Sequence, residues 1–480
     1  MIHPPAIGLD IGTSGVKALF LGSDNRIHLT QAEYGKGDGA GKLDPRAVFG
    51  AVLSALSQLP ERTSERAVCI GVCSAIPSLL ALDSSGEPVT EVYTWEDLSG
   101  NEYDERFFRD PSDAEAYFRK TGCPVQAFYP IWKIKFIREK HPEIFSRASK
   151  FVSLGEYIFH RLSRAPAISF SSASAFGLLD IHRGKWDADL LEFSGIGENA
   201  LFALSQGETV PVNFHDLHGI SAIAENAVIK PAVGENVSAH FGVGGAQVGI
   251  LSSTIGTTGA LRVTLDQPVM DLRARNWCSL VEDRKWVAGN AINAGGNSLF
   301  WLKNVFGIEE NDFLGVVDHI AFEDEDYPLF LPFLYGEKSP GWHENMTGAF
   351  LNVKAAHNRD AFLKSVMEGT VFNLFDCYNR LREGGVAVSG IRAAGGFCYF
   401  PYWVQLLADV FQSPIDLANI SEPAAFGAAL GALKTLYPDV DVATRAERIF
   451  SPNDSKRSYY QEKFAAYQKA YDYLAAQTDK

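Results

Sequence analysis

The pentapeptide Ile11-Gly12-Thr13-Ser14-Gly15 returns 244 residues later as Ile255-Gly256-Thr257-Thr258-Gly259, each time followed by residues of extended character, Val16 and Ala18 or Leu261 and Val263. Both copies read as strand, glycine turn, strand. Two such units spaced at half of a 480-residue chain predict a duplicated α/β domain whose turns face each other across a cleft. The same pattern excludes the two common nucleotide motifs. A Walker loop opens a helix with Gly-Lys-Ser/Thr, and a dinucleotide fold opens one with Gly-x-Gly-x-x-Gly, whereas Val16, Ala18, Phe20 and Leu21 continue as a strand.

Glycine, Ser and Thr at such turns let backbone N–H groups and hydroxyls approach an anion with no Cβ in the way. A phosphate chain can therefore be held from both sides, by Gly12, Thr13 and Ser14 on one and by Gly256, Thr257, Thr258 and Gly259 on the other. Asp10 precedes the first turn and suits Mg²⁺, which takes oxygen ligands and keeps several waters beside nucleotide phosphates. The second copy has Thr254 there, so the turns are unequal. Lys17, on the strand leaving the first turn, is placed either to offset phosphate charge or to be solvated. A third glycine site, Ala393-Ala394-Gly395-Gly396-Phe397, follows a strand-like stretch and precedes a helix-like Trp403–Val410, and its small residues allow a flat adenine to lie on the backbone.

Composition narrows the partners. With 43 Lys and Arg against 58 Asp and Glu the formal net charge is −15, which argues against a task of gripping nucleic acid. No run of 18 apolar residues exists, so no membrane span is expected. The start, MIHPPAIGLDIG, carries no signal-peptide pattern and leads to the expectation of a cytoplasmic protein. Six cysteines without a C-x-x-C pair indicate buried thiols rather than a disulfide framework or a zinc site.

Helical periodicity is expected after Asp44-Pro45, through much of 112–163, over 186–205, over 358–383 and from Lys456 to about Ala476, with a buried strand at Ala67–Cys73. The segment Glu309–Asp326 is acidic and turn-rich.

In this order the motifs resemble the FGGY carbohydrate kinase family. DIGTSGVKA (Asp10–Ala18) is similar to its first phosphate loop, TIGTTGALRV (Thr254–Val263) to its second, and AAGGFCYFPYWVQLLADVF (Ala393–Phe411) to its adenosine segment. Thr121–Phe145, Gly295–Gly307 and Leu331–Trp342 are most similar to the gluconate kinase branch, then to xylulokinases. The resemblance implies two actin-like (ribonuclease H-like) domains with an interdomain cleft. It divides the chain into 1–238, which binds sugar, and 239–480, which binds ATP. The implied reaction is phosphorylation of a sugar or sugar acid by ATP with Mg²⁺, and a homodimer is compatible with it. Gly395 and Gly396 fall at the adenosine, Trp95 and Asp97 beside the sugar, Ser78 in the sugar-proximal segment, Trp132 and Lys133 at the sugar edge, and Glu156 at a helix start.

The departures from the family pattern lie on the acceptor side. The family has a Gly-x-x-Asp segment ahead of the second phosphate loop, and its Asp takes the proton from the attacking hydroxyl. Aligned on Phe241-Gly242-Val243-Gly244-Gly245-Ala246, that carboxylate becomes Gly245, only 11 residues before Gly256, about half the usual interval. Ile76-Pro77-Ser78 replaces Met-His-Ser, and Ser99 replaces an Arg. The expectation is a kinase slowed by loss of its base, with Asp97 or Asp10 as the carboxylates left to replace it. The alternatives are a catalytically inactive nucleotide- or sugar-binding pseudokinase and an actin-like filament protein.

Overall fold

The computed structural model describes residues 3–478 except 36, 38–39, 60–65, 109, 218, 272–275, 310–311, 314, 316, 318–325, 419, 441 and 443–445. The chain enters a hairpin, β1 (Ala6–Ile11) and β2 (Gly15–Leu21), paired antiparallel from Ala6 opposite Leu21 to Ile11 opposite Val16. The turn closes with the Gly12 N–H donating to the Gly15 carbonyl at 3.0 Å. β3 (Ile27–Glu33) continues the meander, and β4 (Ala67–Ser74) runs parallel to β1 on its other side. With β5 (Val210–Pro211), β6 (Ile223–Ile229) and β7 (Val233–Gly234) they form a seven-stranded sheet ordered β5-β6-β4-β1-β2-β3, β7 pairing with the end of β4.

The second sheet repeats the plan. It comprises β8 (Ile250–Ile255), β9 (Gly259–Leu265), β10 (Trp277–Val281), β11 (Lys285–Ile292), β12 (Gly390–Ala394), β13 (Ile415–Ala418) and β14 (Ala446–Phe450), ordered β10-β11-β9-β8-β12-β13-β14. β8 stands to β9 and β12 as β1 stands to β2 and β4: antiparallel to the strand after its glycine turn and parallel to the next arrival. Two actin-like halves, as expected, are what the chain builds.

Helices cover the sheets where caps and periodicity place them. Asp44 caps α1 (Pro45–Ser57) by accepting from the Arg46 N–H, and α2 (Pro130–Lys140) ends at His141-Pro142. In α3 (Leu154–Ser163) Ser153 and Glu156 form a reciprocal capping box, which is the role of Glu156. The remaining helices used below are α4 (Glu235–Gly242), α5 (Gly296–Val305), α6 (Arg359–Glu383), α7 (Pro401–Phe411), α8 (Pro423–Leu436) and α9 (Arg457–Thr478). The helix expected over 186–205 is only Ala188–Ser194, because Gly195 takes a left-handed φ and ends it, and Ala203–Ser205 is a strand. Most of the expected turn region at 309–326 lies outside the described residues. No helix among the described residues is long and apolar enough to cross a membrane.

α8 decides how the halves meet. Although it follows the second sheet's β13, it packs on β1 and β4 of the first. Gly8 and Gly71 are register partners on those strands, and with no Cβ on either the helix backbone at Ala425 and Ala428 seats directly on the sheet. α4 crosses α8 at an equally bare contact between Gly242 and Gly427. The expected boundary at 238/239 therefore falls inside α4, a helix wedged between the halves.

Candidate functional site

α4 begins where β7 leaves the first sheet, and its first residue is Glu235. Asp10 at the end of β1 and Arg262 on β9 both act electrostatically on Glu235, so the two hairpins lie on either side of the head of α4. Burial and the neighbouring Asp10 push the Glu235 carboxyl up to about 7, against the pull of Arg262. Burial likewise pushes Asp10 up to about 6, offset by the Cys73 thiol, whose Sγ lies 3.5 Å from Asp10 Oδ1, and by Lys17. The Arg262 guanidinium donates through Nη1 to Thr254 Oγ1 at 2.9 Å, and its Nε, buried, has no hydrogen-bond partner. Two carboxylates held near neutrality beside a recessed guanidinium form a site that can exchange a proton at pH 7.

This head opens into a cavity of about 310 Å³ between the halves, whose walls include Ile76, Pro77 and Trp95 from the first and Thr258, Asn293, Lys338 and Trp342 from the second. A second cavity, of about 630 Å³, adjoins the other side of the second turn. Gly256, Thr257, Gly296 and Gly396 supply its bare backbone, and Phe300, Phe397, Tyr399 and Trp403 its aromatic walls. Gly395 has φ +110, and a Cβ there would meet the Ile255 carbonyl oxygen at 2.7 Å, so only glycine lets the adenosine-type segment close on the second turn. A flat base fits between such walls.

Several of the expected residues line the two cavities or sit beside them. Gly256, Thr257 and Gly396 line the aromatic cavity, Gly395 supports it, and Trp95, Thr258 and Gly259 line the interdomain one. Gly12, Thr13 and Ser14 form the first turn next to Asp10.

Others are engaged elsewhere. Gly245 is buried three residues past the end of α4, and a Cβ there would collide with the ring of His240. That ring is fixed between Ser252 Oγ at 2.7 Å and Thr264 Oγ1 at 3.0 Å, and burial pushes its pKa down to about 3. Asp97 is 7% exposed and accepts from the backbone and hydroxyl of Ser99, while the buried Lys133, which donates to the Thr94 carbonyl, feels its charge. It holds a turn behind Trp95, and the carboxylate on the cavity wall is Glu235. Ser78 is buried, and its Oγ accepts from the Leu154 N–H at the start of α3. Lys17 donates from Nζ to Glu422 Oε2 at 2.7 Å, just ahead of α8.

Glu235 escaped the sequence reading, yet its spacing carried a signal. It stands 21 residues before Gly256, where Gly245 stands 11 before, so the interval that looked halved is of family size when counted from Glu235. Fixing the alignment on glycines concealed a Glu in Val233-Gly234-Glu235.

Two family models match the chain: the N-terminal domain of the FGGY family of carbohydrate kinases over residues 6–242 and the C-terminal domain over 251–436. Among curated proteins it is 28% identical over 447 residues to a gluconokinase of Bacillus subtilis, covering 88% of this chain and 86% of that one. It is 23% identical over 489 residues to a xylulose kinase of Staphylococcus epidermidis, covering 98% and 97%. Among solved structures, a gluconate kinase and a ligand-bound xylulose kinase, both from Lactobacillus acidophilus, each superpose with a TM-score of 0.91 at 26% identity over 99% of both chains.

Proposed function

The chain belongs to the FGGY family of carbohydrate kinases and, as one of them, phosphorylates a sugar or sugar acid with ATP; from that premise we propose that Glu235 is its general base and that the acceptor lies in the interdomain cavity. The observation that carries this reading is geometric: Glu235, at the head of α4, is the carboxylate on that cavity's wall, and burial raises its pKa toward neutrality. The acceptor hydroxyl attacks the γ-phosphorus, the new O–P bond forms as the bond to the β-phosphate oxygen breaks, ADP departs, and the hydroxyl proton goes to Glu235. A base of pKa near the working pH is half ionised and ready to accept it. Arg262 keeps that carboxylate from being wholly protonated, and the bare backbone of the second turn leaves N–H groups to meet phosphate oxygens. The adenine goes to the cavity walled by Phe300, Phe397 and Trp403.

Mg²⁺ fits this reading. It needs one or two carboxylates plus substrate phosphates rather than an all-protein cage, and no such cage of His, Cys, Asp and Glu exists among the described residues. Asp10, half-buried with a raised pKa and set at the first turn, is a carboxylate that a dication beside it would hold ionised. When bound, the ion neutralises charge on the phosphate chain.

A coupled ADP-release assay over aldonates, ketoses and polyols, gluconate first, tests this function together with calorimetric ATP titration. Acceptor-stimulated turnover that Glu235→Gln abolishes supports it. ATP binding without turnover on any acceptor overturns it.

A further inference from the structure

Resting on the kinase reading above, we propose that Lys338 is the specificity-determining residue of the acceptor site and that it binds the carboxylate of a sugar acid, making the substrate an aldonate phosphorylated at its far hydroxyl.

The interdomain cavity is lined by two separate sets of charges: Glu235 interacts with Asp10 and Arg262, whereas the carboxylates acting on Lys338 are Glu344 and Glu96. Lys338 reaches the cavity from the loop after the strand Leu329–Leu331. That loop is pinned to the end of β11: Asn293 Nδ2 donates to the Tyr335 carbonyl at 2.8 Å, and the Ser339 N–H donates to the Ala291 carbonyl at 3.1 Å. The ammonium is thus presented from a fixed backbone.

Its surroundings leave it under-compensated. Nζ sits 4.3 Å from the centroid of the Trp95 ring, and no carboxylate lies within ion-pair distance of it among the described residues. Burial pushes its pKa down, the direction expected of a cation taken partly out of water without a close counter-charge. Trp95 satisfies one side of the ammonium through its ring face, and an ammonium has three N–H donors to direct. A substrate carboxylate supplies the missing charge through charge-assisted hydrogen bonds, which a neutral sugar hydroxyl in the same place does not.

Trp95 belongs to the first half of the chain and Lys338 to the second, so an anion bound at this pair also draws the cleft closed. With the carboxylate at Lys338 and the reacting hydroxyl at Glu235, one linear molecule uses both sets of charges. A neutral ketose uses one.

The test compares kcat/KM for gluconate with that for a polyol of the same hydroxyl pattern lacking the carboxylate, in the wild type, Lys338→Met and Lys338→Arg. The wild type is expected to prefer the aldonate. In Lys338→Met that preference falls about 10- to 100-fold, mainly through KM for the aldonate, and in Lys338→Arg most of it is kept. Lys338→Arg also guards against a misfolded Met variant, as does ATP titration of each protein. Equal losses on both acceptors in Lys338→Met, or a wild type that prefers neutral acceptors, overturns the proposal while the kinase stands. Wild type that binds ATP and turns over no acceptor overturns the kinase reading itself.

Discussion

The two glycine hairpins share a topology but differ by one residue in register, Ile11 pairing with Val16 and Ile255 with Gly259, and they differ in charge. At the position before the turn the first has Asp10 and the second Thr254; on the outgoing strand the position that is Ala18 in the first is Arg262 in the second. The first hairpin thus brings a carboxylate to the cleft and the second a guanidinium, and Glu235 stands under the influence of both. Two side chains made one half suited to a cation and a proton, the other to phosphate oxygens.

The comparison breaks first at Glu235. Glu235→Gln is expected to lower kcat by about 10²–10⁴-fold with ATP affinity retained, read by steady-state kinetics and calorimetry; an undiminished kcat places the base elsewhere. Arg262→Met removes the one positive side chain that, among the described residues, acts on Glu235, so its pKa rises and the fraction ionised at pH 7 falls. Because the base works ionised, wild-type kcat/KM should climb with pH and level off above about 7. In the variant that rise moves to higher pH, with about a tenfold loss at pH 7. An unmoved profile severs the link between the second hairpin and the base.

Gly245→Asp sharpens the picture from the other side. The new Cβ meets the His240 ring, so the variant should lose about 1–3 kcal/mol in denaturant melts and gain no rate. A rise in rate would reinstate position 245. The smallest effect belongs to Lys17→Met. Because its ammonium is paired with Glu422 beside α8, kcat/KM should change by about threefold or less, as for a partly exposed ion pair.

The duplicated fold was legible because a strand-turn-strand unit is local: glycines at 12, 15, 256 and 259 and the apolar strands around them specify it wherever they occur. The proposed phosphate and adenosine segments were legible because their glycines leave backbone bare and their order carries the resemblance. The acceptor side was not. Asp97 and Ser78 have the chemistry of sugar ligands, but their neighbours Ser99 and the Leu154 N–H claim them. Lys17 has the chemistry of a phosphate ligand, but Glu422, 405 residues away in sequence, pairs with it.

From the residues alone came the two hairpins, because each follows from contacts among near neighbours in the chain, and their spacing; the family and the class of reaction came from the resemblance that the motifs carry in order. The tertiary structure decided that Glu235 is buried beside Asp10 and Arg262, that Lys17 is already paired, and that Lys338 meets Trp95 across the cleft. Those facts depend on burial and on charges brought together by the seating of α4 and α8 between the halves, and electrostatic energy follows distance in space rather than separation along the chain.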